Sequence, residues 1–217
     1  MRGLCFDLDG TLVDSGHEGL KKIIKVAGKR DLPMTEEIEK RIRGMWGTEP
    51  LTLIRSIWPE EDIRAFFTAW EELDIAEPLA AFEGIREALA TLAPNFDMSI
   101  LTNRHFRTIM PQLEHNGIAK FFGLIVTPET TGKKKPDPLC MEPILERYLM
   151  LGINSEDVIF VGDTVEGDWK LAQALGLVFY AVTCGGVDSR EKFLEAGVPE
   201  DHIFESVVHL ALVLLKS

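Results

Sequence analysis

Two aspartates lie two residues apart near the start of the sequence, in the stretch Phe6-Asp7-Leu8-Asp9-Gly10-Thr11. Like charges this close repel each other, and acidic residues are poor strand formers. Because the pair directly follows an apolar run, it requires either a turn that exposes both carboxylates to water or a cation that attracts them. Which of these holds depends on the other charged groups that the fold brings to the same place.

Further polar residues follow other apolar runs that are typical of buried strands. They are Thr102-Asn103, Gly162-Asp163-Thr164 and, five residues after Asp163, Asp168. In a parallel sheet the carboxyl ends of the strands share one edge, so we expect these residues to meet the two N-terminal aspartates there. Three or more carboxylates at one place favour a hard divalent cation, and Mg²⁺ prefers oxygen ligands. The sequence therefore predicts a magnesium site.

Groups that suit a phosphate accompany these acids. Thr102 and Asn103 lie where a strand turns into a helix, so the threonine hydroxyl and nearby backbone N–H groups can hold a phosphate oxygen. The loop Thr130-Thr131-Gly132-Lys133-Lys134-Lys135-Pro136 places three lysines together in an acidic protein. Magnesium, a lysine and a hydroxyl around an aspartate are the parts of a phosphoryl-transfer site.

Short apolar runs alternate with amphipathic helical patterns along most of the chain, which is typical of βαβ units on a parallel sheet. The runs lack polar alternation, so we expect strands that are covered on both faces. The predicted strands are residues 3–6, 96–101, 124–126, 158–161 and 177–182, and the predicted helices are near residues 84–92, 104–116, 138–151 and 165–175.

Residues 15–81 break this alternation. They show helical periodicity without a convincing strand, and prolines and glycines divide them. We interpret them as an all-helical insertion after the first strand. The predicted organisation is an α/β core domain of residues 1–14 and 82–217 with a helical domain of residues 15–81, suitably placed to cover a substrate at the sheet edge.

Composition narrows the function classes. The formal net charge is −12, which disfavours nucleic acid as a partner. The three cysteines are far apart in the sequence, as in reduced cytoplasmic proteins without a disulfide framework. The N-terminus does not resemble a signal peptide, and the apolar tail, residues 207–215, is too short to span a bilayer. We therefore expect a soluble cytoplasmic protein without a membrane partner.

The four stretches together resemble the ordered motifs of the haloacid dehalogenase superfamily. They are Asp7-Leu8-Asp9-Gly10-Thr11-Leu12-Val13-Asp14-Ser15, Leu101-Thr102-Asn103, Lys135-Pro136-Asp137-Pro138, and Val161-Gly162-Asp163-Thr164 with Asp168. The helical insertion resembles the small cap of the phosphoglycolate-phosphatase-like branch. The resemblance implies a Rossmann-like core with a helical cap, a magnesium cofactor and a small phosphorylated metabolite as substrate, in a monomer or homodimer.

The resemblance also implies individual roles. Asp7 would be the nucleophile that forms an aspartyl-phosphate. Asp9 would protonate the leaving alcohol and then deprotonate water, and its backbone carbonyl would contact the metal. Thr102 and Asn103 would bind the phosphoryl group with Lys135, which matches the motif lysine because it precedes Pro136.

The metal would be held by Asp7, Asp9 and Asp163. Asp168 would be either a further ligand or an anchor behind the ligands, and whether Lys133 or Lys134 replaces Lys135 stays open at this point.

Residues of the insertion would choose the substrate. In Arg41-Ile42-Arg43-Gly44-Met45-Trp46-Gly47, which resembles a cap loop that approaches the active site, Arg43 would bind a second anionic group and Trp46 would wall the pocket. A surface arginine and a packed tryptophan are the alternative interpretation.

Other functions on the same scaffold stay open. The lack of a base in Met45-Trp46-Gly47-Thr48 disfavours a phosphosugar mutase of the β-phosphoglucomutase type, and the presence of Asp9 disfavours dehalogenase chemistry. A catalytically silent binding module is disfavoured because the chemically active residues are intact.

Overall fold

A six-stranded parallel sheet organises the protein, whose computed structural model describes residues 1–45 and 50–216. The order of the strands across the sheet is β3-β2-β1-β4-β5-β6, and every neighbouring pair is parallel. The strands are β1 (Arg2–Phe6), β2 (Phe96–Leu101), β3 (Phe122–Val126), β4 (Val158–Gly162), β5 (Val178–Val182) and β6 (Ile203–Phe204). The chain order reverses between β1 and β4, which is the place where such sheets bind ligands.

Helices connect and cover the strands. They are α1 (Ser15–Lys29), α2 (Glu36–Gly44), α3 (Pro50–Ile57), α4 (Ile63–Ala76), α5 (Ile85–Leu92), α6 (Phe106–His115), α7 (Pro128–Thr131), α8 (Glu142–Met150), α9 (Lys170–Leu175), α10 (Arg190–Glu195) and α11 (Val207–Leu214). Among the described residues, no helix has both the length and the hydropathy to cross a membrane.

Both faces of the sheet are buried, which explains the continuous apolar runs. Leu4 and Phe6 of β1 pack on one face with α5, α6 and α11. Cys5 points to the opposite face and packs with α8, α9 and α10. Successive residues of a strand alternate between faces, so a run apolar at every position indicates a sheet covered on both sides.

The helical insertion, α1 to α4, has its own apolar core, in which Ile23, Ile54 and Phe66 are almost completely buried. Its two connections to the sheet run side by side: the Asp14 backbone N–H donates to the Ala80 carbonyl at 3.0 Å. On the sheet side, α4 packs against α6. The predicted fold class, a parallel α/β sheet with a helical insertion, is confirmed. The boundaries at residues 14 and 82 stay a prediction.

The sequence prediction and the structure differ in one strand, in the helix that carries Asp168 and in the helices α7, α10 and α11, which were not predicted. The two-residue strand β6 was not predicted, because two residues carry no recognisable period. The helix predicted near residues 165–175 begins as a π turn, Val165–Trp169, and continues as α9. That turn directly follows β4 and carries Asp168.

Candidate active site

The carboxyl ends of β1 and β4 bring three aspartates together. Asp7 follows β1 directly, and its backbone N–H donates to the Val161 carbonyl of β4 at 2.8 Å. Asp163 follows β4, and Asp168 lies in the π turn beyond it. One carboxylate oxygen from each aspartate lies within 4.8 Å of those of the other two, and all three side chains are buried. The predicted convergence of Asp7, Asp163 and Asp168 is thus present.

Lys135 lies between two of these carboxylates. Its Nζ is 2.7 Å from an oxygen of Asp7 and 2.7 Å from an oxygen of Asp168. Burial disfavours the charged amine, but Asp168 and Asp7 outweigh it and raise the lysine pKa, so the side chain is an ammonium ion. Lys133 and Lys134 are exposed, and Lys133 pairs with Asp137 at 3.0 Å. In this structure only the third lysine of the loop reaches the aspartates.

Both oxygens of Asp168 are engaged. Oδ1 accepts from Lys135, while Oδ2 accepts from the backbone N–H of Thr164 at 3.0 Å and from its hydroxyl at 2.6 Å. Gly162 leaves room for this carboxylate, because a Cβ there would lie 2.4 Å from the Asp168 carboxyl carbon. These contacts favour Asp168 as the group that positions Lys135.

Asp163 has the opposite surroundings. Both of its carboxylate oxygens are buried, and neither receives a hydrogen bond from the described residues. Burial raises the pKa of Asp163 well above its ordinary value, and the nearby charges of Asp7 and Asp168 raise it further. A buried carboxylate without a partner is costly, so the site is built for a group that this side chain can bind.

A divalent cation fits this arrangement. With all three aspartates ionised, the Lys135 ammonium leaves two net negative charges at the cluster. Burial opposes that state and raises the pKa of Asp7 to about 7, so a cation that binds the ionised carboxylates would stabilise them. The donors are all oxygens, which suits Mg²⁺. Gly10 and Gly185 pass close to Asp163: a Cβ at Gly10 would lie 2.0 Å from Oδ2, and one at Gly185 would lie 2.7 Å from the same atom. The backbone thereby closes one side of the site around the unpaired carboxylate.

Asp9 points away from the other three aspartates. Its carboxylate forms a two-pronged ion pair with Arg104, whose Nε is 3.0 Å from Oδ2 and whose Nη2 is 2.5 Å from Oδ1. Burial acts to raise the pKa of Asp9, but the guanidinium outweighs it and lowers the pKa. The Asp9 side chain is therefore absent from the carboxylate cluster, and the role expected of its backbone carbonyl at a metal stays a prediction.

Thr102 and Asn103 lie at the carboxyl end of β2, beside β1. Thr102 is buried, and its hydroxyl accepts from the Arg104 backbone N–H at 3.1 Å. The Asn103 side chain accepts from the Lys135 backbone N–H at 2.8 Å and donates to its carbonyl at 3.2 Å. Since both ends of this amide hold the lysine loop, Asn103 positions Lys135 here. Phosphate binding by Thr102 and Asn103 stays a prediction.

Of the two residues expected to choose the substrate, Arg43 and Trp46, the structure describes only Arg43. Arg43 lies near the end of α2, where it pairs with Glu39 one turn earlier at 2.7 Å, and its side chain is 58% exposed. In this structure the side chain lies at the surface, and binding of a second anionic group by Arg43 stays a prediction. Trp46 lies outside the described residues.

Three residues of this region were not predicted. Arg104 pairs with Asp9, Gly185 lies against Gly10, and Asp188 accepts from the Val165 backbone N–H at 2.6 Å, which fixes the start of the π turn. A basic residue directly after Thr102-Asn103 was a usable signal for Arg104. Gly185 and Asp188 follow β5, and their position at a strand end of the same sheet was the signal for them.

Comparison with known proteins identifies the family. Residues 4–182 match the model of the haloacid dehalogenase-like hydrolases. The chain belongs to this family. The matched range contains the three clustered aspartates and Lys135.

Individual relatives agree with that membership. The phosphoglycolate phosphatase of Nitrosospira multiformis is 28% identical over 208 residues, which cover 89% of this chain and 88% of that protein. Among solved structures, a candidate β-phosphoglucomutase of Thermotoga maritima has a TM-score of 0.76 at 24% identity, covering 100% of this chain and 99% of that one. The hydrolase YfnB of Bacillus subtilis, solved bound to magnesium, has a TM-score of 0.70 at 22% identity, covering 84% and 88%. By homology to the family and to the sequence relatives, the protein is a hydrolase of the phosphatase type.

Proposed function

We propose that the protein is a Mg²⁺-dependent phosphatase that hydrolyses a small phosphomonoester, such as phosphoglycolate, through an aspartyl-phosphate on Asp7. The observation that carries the proposal is the buried cluster of Asp7, Asp163 and Asp168 with Lys135 between two of them. A cluster with two net negative charges and an unpaired carboxylate suits a cation, and a cation beside a lysine suits a phosphoryl group.

Asp7 is held in a way that suits a nucleophile. Its Oδ1 accepts from the Leu8 backbone N–H at 2.7 Å and from Lys135, which fixes the plane of the carboxylate. The other carboxylate oxygen, Oδ2, is the proposed attacking atom. In the first step Oδ2 bonds to phosphorus while the bond from phosphorus to the ester oxygen breaks. Asp9, which must first leave Arg104 and take up a proton from solvent, gives that proton to the ester oxygen.

The second step reverses the roles. Asp9, now a carboxylate, removes a proton from water, and the water oxygen bonds to phosphorus. The bond between phosphorus and Asp7 then breaks, which releases inorganic phosphate and restores the carboxylate of Asp7. Lys135 and Thr102 are proposed to hold the phosphoryl oxygens during both steps.

The metal would be held by Asp7 and Asp163, with the backbone carbonyl of Asp9 as a further ligand and Asp168 behind Lys135. When bound, Mg²⁺ would neutralise negative charge on the carboxylates and the phosphoryl oxygens, so that the two can approach. Without such a cation the phosphoryl group would meet a net negative site.

A phosphosugar mutase is the second candidate, favoured by the fold shared with the Thermotoga maritima structure. That likeness, at 24% identity, supports the fold alone. Relatives matched by sequence over most of both chains are phosphoglycolate phosphatases, so hydrolysis has the stronger support. The cytoplasmic location and the monomeric or homodimeric state stay predictions.

The test is phosphate release from a panel of phosphorylated metabolites, measured with Mg²⁺ and with a chelator, for the wild type and Asp7→Asn. We expect Mg²⁺-dependent release from a few small phosphomonoesters and at least about 1000-fold less release by the variant, because an amide is a poor nucleophile. Circular dichroism checks that the variant is folded.

Turnover by Asp7→Asn at the wild-type rate would overturn the covalent mechanism. If the wild type releases phosphate from none of the compounds, the phosphatase proposal is wrong. A hexose-phosphate isomer assay would then test the mutase.

A further inference from the structure

Four alternating charges connect the active site with the helical insertion. Asp9 pairs with Arg104, whose Nη1 lies 2.6 Å from Oδ2 of Asp74 on α4. The other oxygen of Asp74 accepts from Lys22 of α1 at 2.5 Å. Asp74 and Lys22 are each about 5% exposed, so this series of ion pairs crosses from the sheet edge into the interior of the insertion.

In this arrangement Asp9 cannot reach a substrate. Arg104 donates to both of its carboxylate oxygens, and a guanidinium that binds a carboxylate with two parallel hydrogen bonds fixes its orientation. Acid and base work at a leaving oxygen requires that oxygen within hydrogen-bond distance of Asp9. Catalysis by Asp9 therefore requires that it leaves Arg104.

Arg104 would keep its position if Asp9 moved away, because Asp74 also binds its guanidinium. Its third hydrogen bond goes to Asp74, and Lys22 holds Asp74 in turn. The Arg104 side chain is only 13% exposed, so the loss of Asp9 would leave a largely desolvated guanidinium with half of its partners. A second anion at the place of Asp9 would remove that cost.

We propose that Arg104 selects substrates whose leaving group carries its own anion, and that this anion replaces Asp9 on the guanidinium and so releases Asp9 for catalysis. The proposal rests on the proposed phosphatase function and names its substrate class. The Arg104 guanidinium contacts Asp9, two residues from the proposed nucleophile Asp7, so an anion in place of Asp9 would lie near the phosphoryl group. A carboxylate one carbon from the ester oxygen, as in phosphoglycolate, meets this requirement.

The same pairing explains why a neutral substrate would be handled poorly. A phosphomonoester with a hydroxyl in place of the carboxylate cannot replace the charge of Asp9, so Asp9 stays on Arg104. The enzyme would then distinguish anionic from neutral substrates in kcat as well as in KM. Substrate binding at Arg104 affects KM, and the release of Asp9 for acid and base catalysis affects kcat.

The experiment compares phosphoglycolate with 2-hydroxyethyl phosphate, which has nearly the same size and no carboxylate. For the wild type we expect a kcat/KM about 100-fold higher with phosphoglycolate. Arg104→Gln should lower the value for phosphoglycolate by about the same factor and change the value for 2-hydroxyethyl phosphate much less, so the ratio of the two values should collapse. The ratio of the two substrates is the readout, because partial unfolding lowers both equally.

Two arginines serve as controls. Arg107 also lies on α6 and pairs with Glu71 of α4 across the same boundary, but it is 62% exposed, so Arg107→Gln should keep the wild-type ratio. Arg43→Gln tests the earlier expectation for the insertion and should also keep it. If Arg104→Gln does not fold, Arg104→Lys takes its place in the experiment. Lysine keeps the positive charge but cannot form the two parallel hydrogen bonds, so this variant should also lower the ratio.

Each outcome decides the proposal. The proposal is supported if the ratio of the two kcat/KM values collapses in the Arg104 variants and stays at the wild-type value in Arg107→Gln and Arg43→Gln. A ratio that survives in the folded Arg104 variants, or that collapses in Arg43→Gln, overturns it. A wild type that hydrolyses other phosphomonoesters but not anionic ones also overturns it, and leaves the phosphatase intact. Hydrolysis of no phosphomonoester at all rejects the phosphatase itself.

Discussion

Lys135 differs from Lys133 and Lys134 in its surroundings, although the three share one loop. It is the ammonium group between Asp7 and Asp168. Lys135→Met keeps most of the side-chain volume but removes that charge, so the two buried carboxylates would repel each other. We expect the free energy of unfolding to fall by about 3–5 kcal/mol and kcat to fall about 100- to 1000-fold. Urea denaturation and steady-state kinetics measure the two effects.

Lys134→Met is the matched control, because Lys134 is exposed. Its free energy of unfolding should stay within about 0.5 kcal/mol of the wild type, with unchanged kcat. If the two variants lose activity equally, Lys135 is not the phosphate-binding lysine.

The sequence predicted the residues that strand ends bring together, and not those that depend on side-chain direction. Asp7, Asp163 and Asp168 were predictable because parallel strands share an edge. The pairing of Asp9 with Arg104 was not, because it depends on Asp74, which a helix of the insertion supplies. No local sequence pattern relates Asp74 to Arg104, because they lie 30 positions apart on different elements.

The loop after β5 acts on the site through its backbone. A Cβ on Gly185 would lie 2.5 Å from the Gly10 Cα and carbonyl oxygen and 2.7 Å from Asp163 Oδ2. Backbone atoms cannot move aside as a flexible side chain can. We expect Gly185→Ala to lower the free energy of unfolding by about 1–3 kcal/mol and to weaken magnesium binding, because Asp163 must shift. Thermal melting over a magnesium titration reports both quantities.

Gly28→Ala is the matched control for this glycine. Gly28 is an exposed residue of α1, and a Cβ there meets no atom within 4 Å. Alanine at this helical position should raise the free energy of unfolding by about 0.5–1 kcal/mol. Equal magnesium affinity of Gly185→Ala and the wild type would show that the loop does not shape the site.

Secondary-structure elements were predictable where their hydrophobic pattern extends over several residues. The five longer strands were predicted because each contains a mostly apolar run, and β1, β2 and β4 are buried at nearly every position. The π turn at Val165–Trp169 escaped prediction, since one extra residue in a turn leaves no trace in periodicity. It matters here because it places Asp168 where both Lys135 and Thr164 reach it.

The net charge of the whole molecule and the charge of the active site both affect the binding of a phosphorylated substrate. The formal net charge of −12 repels anions in general, so a phosphorylated substrate approaches against the field of the protein. Lys135 and Arg104 are the cations placed at this sheet edge, and carboxylates pair with both. A bound divalent cation would therefore change the site from net negative to neutral, which links substrate binding to the metal.

Magnesium should consequently stabilise the entire fold. A ligand that binds only the native state at 100 times its Kd adds about 2.7 kcal/mol, and a chain of this length gains about 2–4 °C in Tm per kcal/mol. Adding Mg²⁺ to chelator-treated protein should thus raise Tm by about 5–10 °C. Differential scanning calorimetry measures the change.

Asp163→Asn separates binding at the cluster from general screening of the acidic surface. The variant keeps nearly the full net charge but removes the buried, unpartnered carboxylate. In chelator it should melt above the wild type, because it lacks the carboxyl group whose ionisation is disfavoured by burial and by Asp7 and Asp168. With Mg²⁺ it should gain little. Asp201→Asn, at an exposed position, removes the same charge and should respond to Mg²⁺ like the wild type. An equal Tm gain in Asp163→Asn would mean that magnesium acts on the surface and that the aspartate cluster is not its site.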